Sequence, residues 1–241
     1  MEKNQLITIA LVALFFSVGF ITGEYILEDE EEEPAVTWTE TFNIEGCNFS
    51  ATGRNDYFIL EPGYQLIFEG EEDGDTVILN ITVLDNITMI GGIETRVVVE
   101  TETLNGELVE ISRNFFTICN ETNSVFYFGE EVDIYENGVV VSHEGAWIAF
   151  SNDAKPGVMM PGIILLGARY YQEIAPGVAE DRAEIISMTE TVQTPFGTFE
   201  NCLKIEETTP LEPGVKEYKY YAAGIGLIQD GDLKLTSLVS I

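Results

Sequence analysis

The sequence predicts an all-β protein: one curved antiparallel sheet of about ten or eleven strands, a half-barrel or open barrel, behind an N-terminal transmembrane or signal helix. Three observations carry this. Apolar residues recur at alternate positions through the body, Asn-Gly, Asp-Gly and Pro-Gly pairs fall between those runs, and no stretch after Thr39 keeps a helical period. Parallel strands would need crossover connections, usually helical, so an antiparallel meander is what remains.

The first predicted element is residues 1–23, a membrane anchor or signal segment. Leu6 to Thr22 is apolar apart from small and hydroxyl residues, at the short end of what spans a bilayer. The exit, Gly19 to Glu24, lacks the small-residue pattern of a cleavage site, and both an anchor and a cleaved signal stay open. No cysteine follows the apolar run, which argues against a bacterial-type lipid anchor. Residues 24–39 read as an acidic linker: Glu28 to Glu33 is an unbroken carboxylate run closed by Pro34, and such a run repels itself into an extended chain. Lys3 is the only basic residue before the apolar run and the next is Arg54. Positive charge therefore lies on the short N-terminal side, which puts residues 40–241, the β-domain, outside the cell. The expected location is the cell surface, anchored in the membrane, or the extracellular space if the first segment is cleaved.

Within the body, Val77, Leu79, Ile81 and Val83 share one parity and Thr76, Asn80 and Thr82 the other. The same beat sets Thr95, Val97 and Val99 against Arg96, Glu100 and Glu102, and Phe199, Leu203 and Ile205 against Glu200, Lys204 and Glu206. One parity of each strand is expected to be buried and the other wet. Asn105-Gly106, Asn137-Gly138 and Asp230-Gly231 predict tight hairpins. Pro62-Gly63, Pro156-Gly157, Pro161-Gly162, Pro176-Gly177 and Pro213-Gly214 predict type II turns. Ser151 to Gly167, with two of these pairs around Met159 and Met160, predicts a long irregular loop, a lid or a plug at one end of the core.

The charge is extreme: 11 basic against 42 acidic residues, net −31. Residues 1–39 hold 8 of the acids and 1 of the bases, which leaves 34 against 10, or −24, on the β-domain itself. Nucleic acid is excluded as a partner, because phosphate affinity needs clustered Lys and Arg. A surface of this kind suits a saline or cation-rich exterior that screens it.

Three cysteines, Cys47, Cys119 and Cys202, allow three single pairings. Cys47 in Gly-Cys-Asn and Cys119 before Asn120 are the favoured partners for an extracellular disulfide. Asn48, Asn80, Asn86 and Asn120 stand in Asn-X-Ser/Thr sequons, candidate N-glycosylation sites on an exported chain.

Catalytic and cofactor chemistry finds little support. One histidine, His143, and scattered cysteines argue against a Ser-His-Asp or Cys-His nucleophile and against zinc. No glycine pattern of a nucleotide site opens a helix. No cofactor is expected. Calcium is the cation such acidity would suit, with Glu69 to Asp75 as the candidate loop, although it lacks the ligand order of an EF-hand. A paired-carboxylate hydrolase has no spacing rule to test, and Glu130-Glu131 or Glu180-Asp181 are its only local suggestions. Trp38, Trp147, Phe126 to Phe128 and Tyr218 to Tyr221 are core or cavity aromatics.

Several motifs recur in an order seen elsewhere. They are Phe128-Gly129-Glu130-Glu131-Val132, Lys155-Pro156-Gly157 with Met160-Pro161, and Pro176-Gly177 before Ala179-Glu180-Asp181. The two most specific are Thr194 to Leu203 (TPFGTFENCL) and Tyr220 to Leu227 (YYAAGIGL). Together, over residues 57 to 230, they resemble the DUF3108-like (TapB-like) family of exported proteins. The resemblance implies a curved antiparallel sheet distantly like the LolA and LolB lipoprotein carriers, with a concave apolar face and no catalytic residues.

Three functions are compatible with these observations. The first is a non-enzymatic, surface-anchored β-domain that binds an apolar or lipid-like ligand. The second is a structural or interaction module of the cell envelope, its acidic surface bridged to a neighbouring protein by divalent cations. The third is a carboxylate hydrolase.

Overall fold

The computed structural model describes residues 37–240 apart from residue 73. The predicted anchor, 1–23, and most of the predicted linker lie outside the described residues. The chain divides at Thr37, and Trp38 onward forms one compact unit.

Among the described residues the only helix is a 3₁₀ turn, Ile44–Gly46, and the rest of the secondary structure is β. The strands are β1 (Phe49–Ser50), β2 (Gly53–Asn55), β3 (Phe58–Leu60), β4 (Gln65–Glu72), β5 (Asp75–Ile90) and β6 (Ile93–Leu104). Next come β7 (Glu107–Cys119), β8 (Val125–Glu136), β9 (Val139–Ser142), β10 (Trp147–Ile148), β11 (Lys155–Met160) and β12 (Arg169–Tyr171). The last are β13 (Glu173–Ile174), β14 (Arg182–Gln193), β15 (Thr198–Thr208), β16 (Glu217–Ala222), β17 (Gly226–Asp230) and β18 (Leu233–Val239).

One antiparallel sheet runs β12-β14-β15-β16-β17-β18-β4-β5-β6-β7-β8-β11-β13. Its end strands, β12 and β13, are separated in sequence only by Gln172. The stretch Arg169–Ile174 therefore lends half of itself to each edge and brings the sheet to near-closure, which leaves little unpaired edge. The path holds 13 strands, more than the ten or eleven expected. The extra ones are short: β12 and β13 have three and two residues, too few to show a period. Pro156-Gly157, expected to turn, lies inside β11. Gly157 has no positive φ there; a Cβ on it would meet the Gln172 carbonyl oxygen at 2.4 Å, so glycine serves close approach to the closing segment. Gly162 also lacks a positive φ. The irregular loop is thus shorter than the expected Ser151 to Gly167.

Most of the other turns match their chemistry. Asn105 and Gly106 have φ of 51° and 82°, and Asn137 and Gly138 have 51° and 75°, the two left-handed residues of a hairpin turn. Gly63, Gly177 and Gly214, each after proline, have φ of 85°, 71° and 93°, as a type II turn requires.

The enclosed face carries the core. Val77, Leu79 and Val83 of β5 point in, with Leu66 and Phe68 of β4, Leu235 of β18, and Leu203 and Ile205 of β15. In β6 the expectation holds only in part: Thr95 and Val97 are buried as expected, but the charged parity is enclosed as well. Val98 is 1% exposed and Arg96 and Glu102 are buried, and they share their parity with Glu100, which lines the lumen. The charged side of that strand is the inner side, because the partners across it, Val83, Ile81 and Leu79, face the core.

The hairpin β2–β3 pairs only with itself and works as a plug. Phe58 packs edge-on against Phe116 of β7 at 5.0 Å, and Leu60 is fully buried. Asn55, 2% exposed, donates from its amide to the carbonyls of Asn123 (2.8 Å) and Pro161 (3.0 Å) and accepts from the Tyr57 N–H (2.8 Å). On the plug's other flank, the Gly224 N–H donates to the Asp56 carbonyl at 2.7 Å. The long β14–β15 hairpin folds back, since the Phe196 N–H at its tip donates to the Leu235 carbonyl of β18 at 3.0 Å.

Cys47 and Cys119 are joined in a disulfide that closes a separation of 72 residues, and Cys202 is a buried free thiol. Asn48, Asn86 and Asn120 are exposed, whereas Asn80 is half-buried on the outward parity of β5.

Candidate functional site

Beside the plug the lumen holds a partly open cavity of about 110 Å³. Its apolar wall comes from Phe58 and Ile59 of the plug, Leu66 of β4, Val83 of β5, Val98 of β6 and Phe116 of β7. Tyr57, Met159 and Ile225 form the rim, and Tyr221 and Leu227 of the β16–β17 hairpin complete it. That hairpin is the Tyr220 to Leu227 motif. The Tyr64 hydroxyl donates to the Ile225 carbonyl at 2.7 Å, and burial pushes its pKa up to about 12. It therefore acts as a fixed neutral strut.

Glu100, Lys219 and Asp230 make the polar end of the same cavity. The Lys219 ammonium lies 2.9 Å from Glu207 and 3.7 Å from Asp230, and Gln172 Nε2 donates to the other oxygen of Glu207 at 2.8 Å. Glu100 has no hydrogen-bond partner among the described residues. Burial pushes its pKa up to about 7; the nearby Lys219 charge opposes this and Asp230, Glu110 and Glu207 add to it. Glu102, one turn of the pleat further along β6, is pushed to about 8 by burial and by the charges of Glu110, Glu72 and Glu100.

Glu130 of β8 extends this acidic wall. Burial raises its pKa to about 8, with the charges of Glu100 and Glu110 adding and the nearby Tyr127 and Ser112 hydroxyls opposing. The Tyr127 hydroxyl donates its proton to Asn114 Oδ1 at 2.5 Å. Trp147, the cross-strand partner of Glu130, packs edge-on against Tyr127 at 5.1 Å and leaves its Nε1–H without an acceptor. Glu173, 2% exposed, has its pKa raised by burial and by the Asp181 charge, while the Asp181 N–H donates to it at 2.9 Å. At neutral pH several of these carboxyls hold protons, since one ammonium cannot balance the set.

The remaining sequence candidates lie elsewhere. His143 is 69% exposed at its side chain, with Nδ1 2.7 Å from the Val132 carbonyl. Glu69, Glu71 and Glu72 are exposed along a hairpin arm, with Glu72 paired in register to Asp75. Of the suggested hydrolase pairs, Glu130 faces the lumen while Glu131 is exposed. Among the described residues, Cys47, Cys119 and Glu121 are the one trio of potential metal ligands whose ligand atoms lie within 4.8 Å of one another. Their sulfurs are spent in the disulfide, and a disulfide offers no thiolate to a metal.

Sequence reasoning missed the lumen acids because Glu100 and Glu102 carry the signature of a solvent-facing parity. Asn55 left no signal beyond its place before a turn. Comparison of the chain with protein-family models, curated proteins and solved structures finds no match.

Proposed function

We propose that this is a non-enzymatic β-domain, tethered to the outer side of a membrane by residues 1–23, that binds a small apolar or lipid-like ligand in its lumen. The observation that carries the reading is the cavity: apolar over most of its wall, flanked by Phe58 and Ile59 of the plug, and charged only at Glu100, Lys219 and Asp230. A void of about 110 Å³ takes a small hydrophobic group, as dry apolar cavities of similar size do. The resemblance to exported proteins with a concave apolar face points the same way.

The test is to incubate the purified full chain with a total lipid extract, then identify bound molecules by native mass spectrometry. A bound apolar species is expected, and the cavity-filling Val98→Phe variant should lose it while keeping its circular dichroism. The reading fails if nothing binds, or if the same species binds equally to the filled variant. Two carboxyls in one cavity also favour the hydrolase as a second reading. It requires turnover of a glycosidic substrate that Glu100→Gln abolishes.

A further inference from the structure

We infer that the loop Pro161 to Ala168 is a membrane-contacting tip, whose exposed Ile163, Leu165 and Leu166 side chains enter the surface of a neutral lipid bilayer. These three are 75%, 62% and 66% exposed, more so as a group than the exposed run Val139–Val141 at 64%, 39% and 51%. They are not held out by slack chain. At one end the Pro161 carbonyl accepts from Asn55 at 3.0 Å, and the Gly162 N–H donates to Ser124 Oγ at 3.0 Å. A Cβ on Gly162 would meet the Thr122 carbonyl oxygen at 1.8 Å, so the backbone is pressed against the β7–β8 turn. At the other end the Gly167 N–H donates to the Ile185 carbonyl at 2.7 Å, and the Ala168 N–H to the Leu165 carbonyl at 3.0 Å. Ile164 packs into the core between its exposed neighbours. The fold presents these side chains to solvent on a fixed loop, and such apolar patches mark contact surfaces.

Two features select lipid as the occupant. The first is charge. From Ala154 to Gln172 there is no Asp or Glu, in a domain of net charge −24; Lys155 lies in this stretch, and Arg169 is paired with Glu184 at 2.7 Å. A stretch without carboxylates can approach a bilayer without the cost of dehydrating them. The second is the path of the chain. Thr39 pairs in parallel with Tyr170, its N–H donating to the Arg169 carbonyl at 3.0 Å and its carbonyl accepting from Tyr171 at 2.9 Å. Thr39 therefore enters the domain beside the end of β12 that the loop feeds. Fifteen residues, 23–37, separate the apolar run ending at Thr22 from Trp38, a reach of roughly 50 Å at full extension. A tether of that length turns a weak contact between loop and bilayer into an intramolecular one. The inference rests on the tether part of the proposed function and is independent of the luminal ligand.

The experiment uses the full chain in phosphatidylcholine vesicles, with an environment-sensitive fluorophore on Leu165→Cys or, in a second protein, on Val140→Cys. Val140 is an exposed apolar control on β9, and the native free thiol, Cys202, is buried. A blue shift at position 165 with quenching by nitroxide-labelled lipid of about two-fold or more, and none at 140, is expected. Absence of quenching at 165 while the protein floats with the vesicles overturns the loop contact and leaves the tether standing. Failure to float overturns both. Equal quenching at both positions overturns a specific tip. A blue shift in lipid-free buffer that grows with protein concentration would assign the patch to a second copy of the chain.

Discussion

The two sides of the lumen are built on opposite principles. Around Phe68, Leu79, Leu203, Ile205 and Leu235 the wall is apolar and filled, with Phe68, Leu203, Ile205 and Leu235 fully buried. Across β6, β7 and β8 the wall carries Glu100, Glu102, Glu110 and Glu130, opposed by Lys219 on β16. The first side gains stability from every buried methylene, at any pH. The second holds groups whose charged form is costly to enclose, so its contribution depends on protonation. The cavity lies where these two sides meet, which is why it has one apolar and one polar end.

The largest effects should separate the sides cleanly. Phe68→Ala removes a fully buried ring and is expected to cost about 3–5 kcal/mol, equally at pH 5.5 and pH 8.5. Lys219→Met leaves Glu207 and Asp230 without their ammonium and is expected to cost about 3 kcal/mol at pH 8.5. At pH 5.5, where the neighbouring Glu100 (pKa about 7) is protonated and no longer interacts with the ammonium as an anion, that cost should be smaller. Denaturant melts at the two pH values measure both. A Lys219→Met cost that does not change with pH would break the comparison.

The native chain should show the same asymmetry. Glu100, Glu102 and Glu130 titrate near 7, 8 and 8 in the fold, against about 4.3 for an unfolded glutamate. Between those limits the folded state binds more protons than the unfolded one, so the contribution is fully present below about pH 4.3 and is lost progressively as pH rises through the folded values near 7 to 8. A decline of a few kcal/mol from pH 5 to pH 8.5 is expected, and Glu102→Gln should flatten it. A melting temperature that rises over that interval would show that these carboxyls are ionised and paired.

Asn55 probes the plug that flanks the apolar end. Removing its amide strands the carbonyls of Asn123 and Pro161 in a buried place, and Asn55→Ala is expected to cost about 1–3 kcal/mol. Exchange of an apolar fluorophore with the cavity should become faster in this variant. Destabilisation without faster exchange would mean that the lumen opens elsewhere.

What the sequence disclosed, and what it did not, follows from the same asymmetry. β5 was legible because its inward residues are all aliphatic, so period and burial coincide. β6 has the same period, but its inward parity is Arg96, Val98, Glu100 and Glu102, and alternation alone cannot say which side of a pleat is enclosed. The hairpin turns at Asn105-Gly106 and Asn137-Gly138 were legible because left-handed φ angles select asparagine and glycine. Pro156-Gly157 was misleading because glycine there answers a close backbone approach from Gln172, a contact of sequence-distant origin. The cavity itself could not be seen, since Tyr57, Val98, Met159 and Ile225 meet only once the sheet has curled.

The smallest expected effect concerns the outer surface, where carboxylates are hydrated. Glu69, Glu71 and Glu72 are exposed on one hairpin arm, and exposed charges contribute through screening rather than through fixed ligands. Calcium should therefore raise the melting temperature no more than sodium chloride of equal ionic strength, and chelation should leave the assembly state unchanged. A metal that gathered several carboxylates would instead stabilise in proportion to its occupancy of the folded state. Saturating stabilisation at millimolar calcium, or assembly that chelator reverses, would move the acidic surface from solvated coat to bridging site. The envelope module would then replace ligand binding as the reading that fits best.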